Sequence, residues 1–106
     1  MRAETRKKLE AAGWQVGDAK EFLSLSDVES RLVDIKLALA EMLRIVREKN
    51  RLTQAQLAKR IRSSQSRIAK IEAGDASVSV DLLLKSLIAA GANSRELAKA
   101  VTTSRP

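Results

Sequence analysis

The sequence predicts an all-α fold, five helices behind a helical N-terminal extension, and three observations carry that expectation. Only 2% of the 106 residues are aromatic and one is proline, so the 44% hydrophobic content is aliphatic and suited to a helical core. Polar start signals recur along the chain, each followed by apolar residues three and four apart instead of alternating. The length suffices for one domain with a modest interior.

Residues 2–12 favour helix, with Leu9, Ala11 and Ala12 as apolar anchors and Gly13 as a stop. Trp14 and Val16 follow, and Asp18 with Glu21 three residues later opens a short helix carrying Phe22, Leu23 and Leu25. The only Trp and the only Phe therefore both fall in the first quarter, where they either cover a flank of the core or form part of a protein-binding surface. Residues 1–25 are read as an N-terminal helical extension.

Ser26-Asp27-Val28-Glu29 is a capping box and opens the longest helix, to about Lys49. Val28, Leu32, Ile35, Leu39, Leu43 and Val46 make one stripe, which Val33 and Leu37 widen on one side and Ala38, Met42 and Ile45 on the other. A surface helix in a small bundle needs only one stripe. The N-terminal segment, a second subunit, or both are expected to cover the remainder.

Residues 52–74, LTQAQLAKRIRSSQSRIAKIEAG, read as two short helices joined by a tight turn. Thr53 and Gln56 form a capping box that starts the first at about Gln54, and Leu57, Ala58 and Ile61 share its inner face. Arg62 and Ser63 form the turn. Ser64 caps a second helix from Gln65 to about Ala73, and Gly74 stops it. At about 100° per residue, Ile68, Ile71 and Glu72 face inward, while Ser66, Ala69 and Lys70, flanked by Gln65 and Arg67, face outward.

After Gly74 a loop to Val78 leads to Ser79, the cap of a helix bearing Val80, Leu83, Leu84, Leu87 and Ile88 and closed by Gly91. Asn93 and Glu96 start a last helix with Leu97 and Val101 as anchors; residues 102–106 read as a polar, disordered tail. The main domain is thus expected over residues 26–101.

Leu52-Thr53-Gln54, Leu57-Ala58, Ser64-Gln65-Ser66, Ile68, Ile71-Glu72 and Gly74 together resemble the Xre family of helix-turn-helix repressors, the Cro and lambda-repressor-like proteins. The resemblance implies a five-helix lambda-repressor-like DNA-binding domain over roughly residues 32–101. It also implies roles: Gln65, Ser66 and Lys70 read bases, Arg67 serves bases or phosphates, and Gln54, Ser63 and Ser64 hold phosphates. An Arg–Glu ion pair in related repressors implies one between Arg47 and Glu72 here. One departure is Arg62, which stands where many members have Gly; a left-handed residue there costs about 1 kcal/mol without Gly, so a locally different turn is expected, with Arg62 a candidate phosphate contact. The lead-in, Lys8-Leu9-Glu10-Ala11-Ala12-Gly13-Trp14 through Phe22-Leu23-Ser24-Leu25-Ser26, followed by Ser64-Gln65-Ser66 and Val78-Ser79-Val80-Asp81, resembles the HigA-type antitoxins and related orphan regulators.

Charge supports the same stretch. Between Arg44 and Lys70 stand nine basic residues and one acid, a net of +8, while the rest of the chain sums to −1. The whole +7 excess lies on or beside the reading unit, as phosphate contacts require. Cysteine and histidine are absent, which removes disulfides, the usual zinc sites, thiol nucleophiles and the commonest general base. No catalysis, metal or cofactor is expected, nor a membrane span or signal peptide, and the expected location is the cytoplasm.

These readings make the partner double-stranded DNA and the leading function a homodimeric repressor on a pseudo-palindromic operator. A second function is neutralisation of a small ribonuclease toxin, with DNA binding as its autoregulatory arm. A third, RNA binding, lacks the aromatic side chains on which single-stranded bases stack. An ordinary basic hairpin explains neither the two caps nor an outer face of Gln and Ser.

Overall fold

The computed structural model describes residues 27–104. The expectations for the N-terminal extension, with Trp14 and Phe22, for the Ser26 cap and for the last two residues lie outside that range. Five helices follow one another: α1 (Asp27–Lys49), α2 (Gln54–Arg60), α3 (Gln65–Glu72), α4 (Val80–Ala90) and α5 (Ser94–Thr103). The fold is all-α and lambda-repressor-like, with no strand among the described residues. None of its helices is long and apolar enough to cross a membrane.

Side chains start the helices where the sequence reading places the caps. Thr53 Oγ1 accepts the Gln56 amide at 3.0 Å while Gln56 Oε1 accepts the Thr53 amide at 2.8 Å, a reciprocal box that Asn93 and Glu96 repeat at α5. Ser64 accepts from the Arg67 amide and Ser79 from the Leu82 amide. Each cap satisfies an amide that the helix itself leaves without a partner.

The first four helices end by one device. Two amides just past each helix fold back onto carbonyls of its last turn: Leu52 to Arg47 and Arg51 to Glu48 at α1, Ser63 to Ala58 and Arg62 to Lys59 at α2. Asp75 to Lys70 and Gly74 to Ile71 do the same at α3, and Ala92 to Leu87 and Gly91 to Ile88 at α4. This Schellman pattern needs one left-handed residue, supplied by Arg51 (φ 57°), Arg62 (φ 54°), Gly74 (φ 76°) and Gly91 (φ 100°). Arg62 therefore corrects the expectation of a different local turn: the left-handed geometry is kept without glycine, because two backbone hydrogen bonds, at 2.8 and 3.3 Å, close around it. Gly74 has a second reason to lack a side chain, since a Cβ there would lie 2.8 Å from Leu37 Cδ2.

The core gathers Leu39, Leu43 and Val46 from α1, Leu57 and Ala58 from α2, Ile68 and Ile71 from α3, Leu83 and Leu87 from α4 and Ala100 from α5. Val28 and Leu32, read as part of the buried stripe, are instead 78% and 47% exposed. The reason is length. With 23 residues α1 is roughly 34 Å long, against about half that for the 11-residue α4 and 10-residue α5 packed on it. Ile45 and Ile88 also face outward.

Residues 102–104, expected to belong to a disordered tail, are ordered. The last helix runs to Thr103, and Ser104 is buried, because Arg31 Nη1 donates to its carbonyl at 2.7 Å and to its hydroxyl at 2.8 Å. At the other end of α5, Lys49 pairs with Glu96; that hydrogen bond, followed by the one from the Asn93 amide, holds the Glu96 carboxyl below its ordinary range. Of the two anchors expected in α5, Leu97 packs against the core and Val101 is exposed.

One ion pair sets α3 against the rest. Arg47 donates from Nε and Nη2 to the two carboxylate oxygens of Glu72, the second bond at 3.0 Å, and from Nη1 to the Leu52 carbonyl at 2.9 Å. Both side chains are withdrawn from solvent, at 12% and 5% exposure. The hydrogen bond to Glu72 raises the Arg47 guanidinium above its already high ordinary value.

Two stability predictions follow from these contacts. Glu72→Ala or Arg47→Ala leaves one buried charge without a partner and should lower unfolding free energy by about 3–5 kcal/mol, read from urea midpoints by circular dichroism. Arg62→Gly relieves a left-handed side-chain residue and should raise it by about 1 kcal/mol; an unchanged or lower midpoint would show that the arginine contributes a compensating contact.

Candidate nucleic-acid interface

Leu57 and Ala58 of α2 meet Ile68 and Ile71 of α3 inside the core, and the small Ala58 lets the two helices approach closely. That packing turns the other side of α3 outward. Gln65, Ser66, Arg67, Ala69 and Lys70 are all exposed, on a helix of eight residues whose start is held by Ser64 and whose end is held by Gly74. Gln and Ser can both donate and accept hydrogen bonds, and Arg and Lys can donate to base acceptors or to phosphate.

The nine basic residues between 44 and 70 divide into two groups. Arg44 bridges Glu41 and Glu48, Arg47 pairs with Glu72, Lys49 pairs with Glu96, and Arg60 donates to the Ala89 carbonyl at 2.9 Å. Those four hold the fold together. Arg51, Lys59, Arg62, Arg67 and Lys70 are exposed and form no salt bridge among the described residues. Of those nine, the cations available to a partner are therefore these five, on α2, α3 and the turns that flank α2; Lys85, Arg95 and Lys99 are exposed elsewhere, on α4 and α5.

The proposed phosphate ligands are placed less uniformly. Arg62 is exposed at the turn, whereas Ser63 is half-buried and Ser64 already accepts the Arg67 amide at 3.2 Å and lies 3.1 Å from the Ser66 hydroxyl. The Ser64 hydroxyl proton is still able to serve a further acceptor. Gln54, also half-buried, is tied inward: its Nε2 donates to Glu72 Oε1 at 3.2 Å, and its Oε1 accepts from Gln65 Nε2 at 3.5 Å. The structure thus joins Gln65, Gln54, Glu72 and Arg47 in one chain of hydrogen bonds running from the surface to the core.

Arg51 was missed in the sequence reading. Asn50, the better left-handed residue by type, stands beside it but uses its side chain to donate to the Ala90 carbonyl at 2.8 Å. Just beyond α3, Asp75 places an acid near the cationic face. The Ser77 hydroxyl and then the Ser77 amide, both donating to it, hold its carboxyl below the ordinary range, so it is charged at neutral pH and bounds the basic surface on that side.

Compared with known proteins, residues 43–87, somewhat under half of the chain, match the family model described as helix-turn-helix. No curated protein and no solved structure matches the chain. The matched span runs from Leu43, in the middle of α1, to Leu87 in α4, and so includes the ion pair, both helices of the reading unit and the turn between them. Over residues 43–87 the chain is thus similar to helix-turn-helix domains of the Xre type, which are DNA-binding domains of transcription regulators.

Proposed function

We propose that the chain is a sequence-specific DNA-binding repressor that acts as a homodimer, its reading domain spanning residues 26–101 behind an extension over residues 1–25. The observation that carries this reading is the division of the basic residues: five cations with no acidic partner among the described residues lie on or beside one exposed polar helix face. In this reading α3 enters the major groove, where Gln65, Ser66 and Lys70 meet base edges and Arg67 meets a base or a phosphate. Arg62, Ser63, Ser64 and Gln54 lie at the phosphates.

Base readers and phosphate ligands differ in what their loss does. Gln65→Ala should cost about 1–3 kcal/mol on the preferred duplex and relax preference at one base position. Arg62→Ala should weaken cognate and random duplexes alike and flatten the salt slope by about one unit. Fluorescence anisotropy on labelled duplexes between low and physiological salt measures both, and equal losses on all sequences for Gln65→Ala would remove Gln65 from the reading set.

Two recognition helices about 34–36 Å apart on one side of the duplex give a pseudo-palindromic operator. For the two-fold surface we favour α5, where Val101 is 41% exposed, rather than the N-terminal segment. Leu97 is unsuited to a test of that surface because it packs against the core. Sedimentation at micromolar protein should find a dimer that survives deletion of residues 1–25 and is lost with Val101→Glu; a monomer with and without operator DNA would contradict the assembly.

Neutralisation of a ribonuclease toxin is a second reading, favoured by one observation. Val28 and Leu32 leave an apolar start of α1 uncovered, immediately after the segment that carries Trp14 and Phe22. A small basic reading frame adjacent to this gene, whose product co-purifies with the chain, is the outcome this reading requires.

A further inference from the structure

The start of α1 has a side that the described residues leave open. Val28 and Leu32, one helical turn apart, are 78% and 47% exposed, and with Ile35 they form the apolar wall of an open groove. Asp27 and Asp34 line the same groove. Arg31 stands four residues from one acid and three from the other, the spacing of helical ion pairs, but its guanidinium turns away to the Ser104 carbonyl and hydroxyl. Neither acid has a salt bridge among the described residues. The groove is thus apolar along its middle and acidic toward both ends.

We propose that the N-terminal segment of the same chain, residues 1–25, covers this groove, with Trp14 and Phe22 against Val28, Leu32 and Ile35. The chain's two aromatic residues both precede Asp27, and each buries about 150–250 Å² when packed. Residues 1–26 lie outside the described range and end where the groove begins. The six residues from Phe22 to Val28 reach at most about 20 Å, and Leu32 is only about 6 Å farther along the helix axis. So short a tether sets an effective concentration of roughly millimolar, a roughly thousandfold advantage over a second copy at micromolar protein. Charge disfavours a second copy as well. A two-fold contact through this face would bring it against itself, Asp27 and Asp34 against acids of the partner, whereas the run Arg6-Lys7-Lys8 in the N-terminal segment has the opposite sign.

Trp14 reports the contact directly, because the chain has no other tryptophan, and the proposal does not depend on the DNA-binding reading. Its emission is measured in the full chain without DNA, from nanomolar to micromolar protein, with acrylamide as quencher and the urea-unfolded chain as reference. The wild type should emit at shorter wavelength than the unfolded chain and resist quenching, equally at every concentration. Val28→Asp combined with Leu32→Asp should move the emission to the unfolded position and remove that protection, while circular dichroism keeps the helical signal. Val28→Ser with Leu32→Ser, which adds no charge, stands in if the acidic pair fails to fold. Mixing the groove variant with a chain that carries Trp14→Phe and an intact groove tests the source of the cover. Protection that returns to Trp14 on mixing shows a second copy in the groove and overturns the proposal. So does a wild-type Trp14 as exposed as in urea, which leaves the groove to a separate protein such as the toxin of the second reading. Trp14 that stays protected in folded groove variants is buried elsewhere, and that outcome overturns the proposal too.

Discussion

The arrangement of this domain depends on the pairing of Arg47 with Glu72. Apolar contact between α3 and the core, through Ile68 and Ile71, is strong but non-directional, and tolerates small rotations and slides of a two-turn helix. The ion pair restricts both. The guanidinium reaches Glu72 on α3 with two nitrogens and the Leu52 carbonyl with the third, so α3 and the turn before α2 are referenced to one group on α1. The carboxylate in turn receives Gln54 from the first turn of α2. Taking two charges out of water is costly, and an apolar pair of the same volume is often no less stable. What the pair supplies that an apolar one would not is an orientation, and a recognition helix needs one.

The basic residues show how far composition carries a functional reading. Nine cations in a 27-residue stretch read as a single footprint, yet four of them, Arg44, Arg47, Lys49 and Arg60, are engaged within the fold. The acids that engage Arg44, at 41 and 48, lie within a turn of it on the same helix, but Arg47 and Lys49 find theirs at 72 and 96 and Arg60 meets the Ala89 carbonyl, contacts that only folding makes. The sign and rough position of the surface charge were legible. Its membership was not, because pairing is a property of tertiary structure.

The same boundary runs through the fold. Helix starts were readable because a cap and the amide that donates to it are three residues apart, and so was each stop where glycine supplies the left-handed residue, Gly74 and Gly91. The stops at Arg51 and Arg62 were hidden, since arginine carries no such preference and the evidence for those turns is backbone hydrogen bonding. Helical period correctly grouped Leu39, Leu43 and Val46, but Val28 and Leu32 obey the same period and are exposed, because periodicity does not say where the neighbouring helices end. Ser104 escaped notice for a related reason: its anchor, Arg31, is 73 residues away. Of the candidate site, the outward set of α3 followed from helical geometry, whereas the inward tie of Gln54 to Glu72 joins residues 18 apart and required the packed pair of helices.

The placement of acids at helix starts follows one further pattern. A helix N-terminus carries partial positive charge, and an acidic residue in the first turn offsets it. Asp27 and Glu29 do so in α1, Asp81 in α4 and Glu96 in α5, while α2 and α3 have no acid in their first turns. Their caps are neutral, Thr53 and Ser64, and arginines with no salt bridge among the described residues stand just before each, Arg51 and Arg62, in backbone conformations that glycine would adopt at lower cost. For an isolated domain this is unfavourable twice over, as a cation near a positive helix end and as left-handed strain. An anion at that surface reverses the first of these terms, since the same cations and helix ends then attract it together. The two helices that depart from the rule are the two that the DNA-binding reading sets against phosphate, and the stability forgone there is the complement of the charge a phosphate backbone would bring.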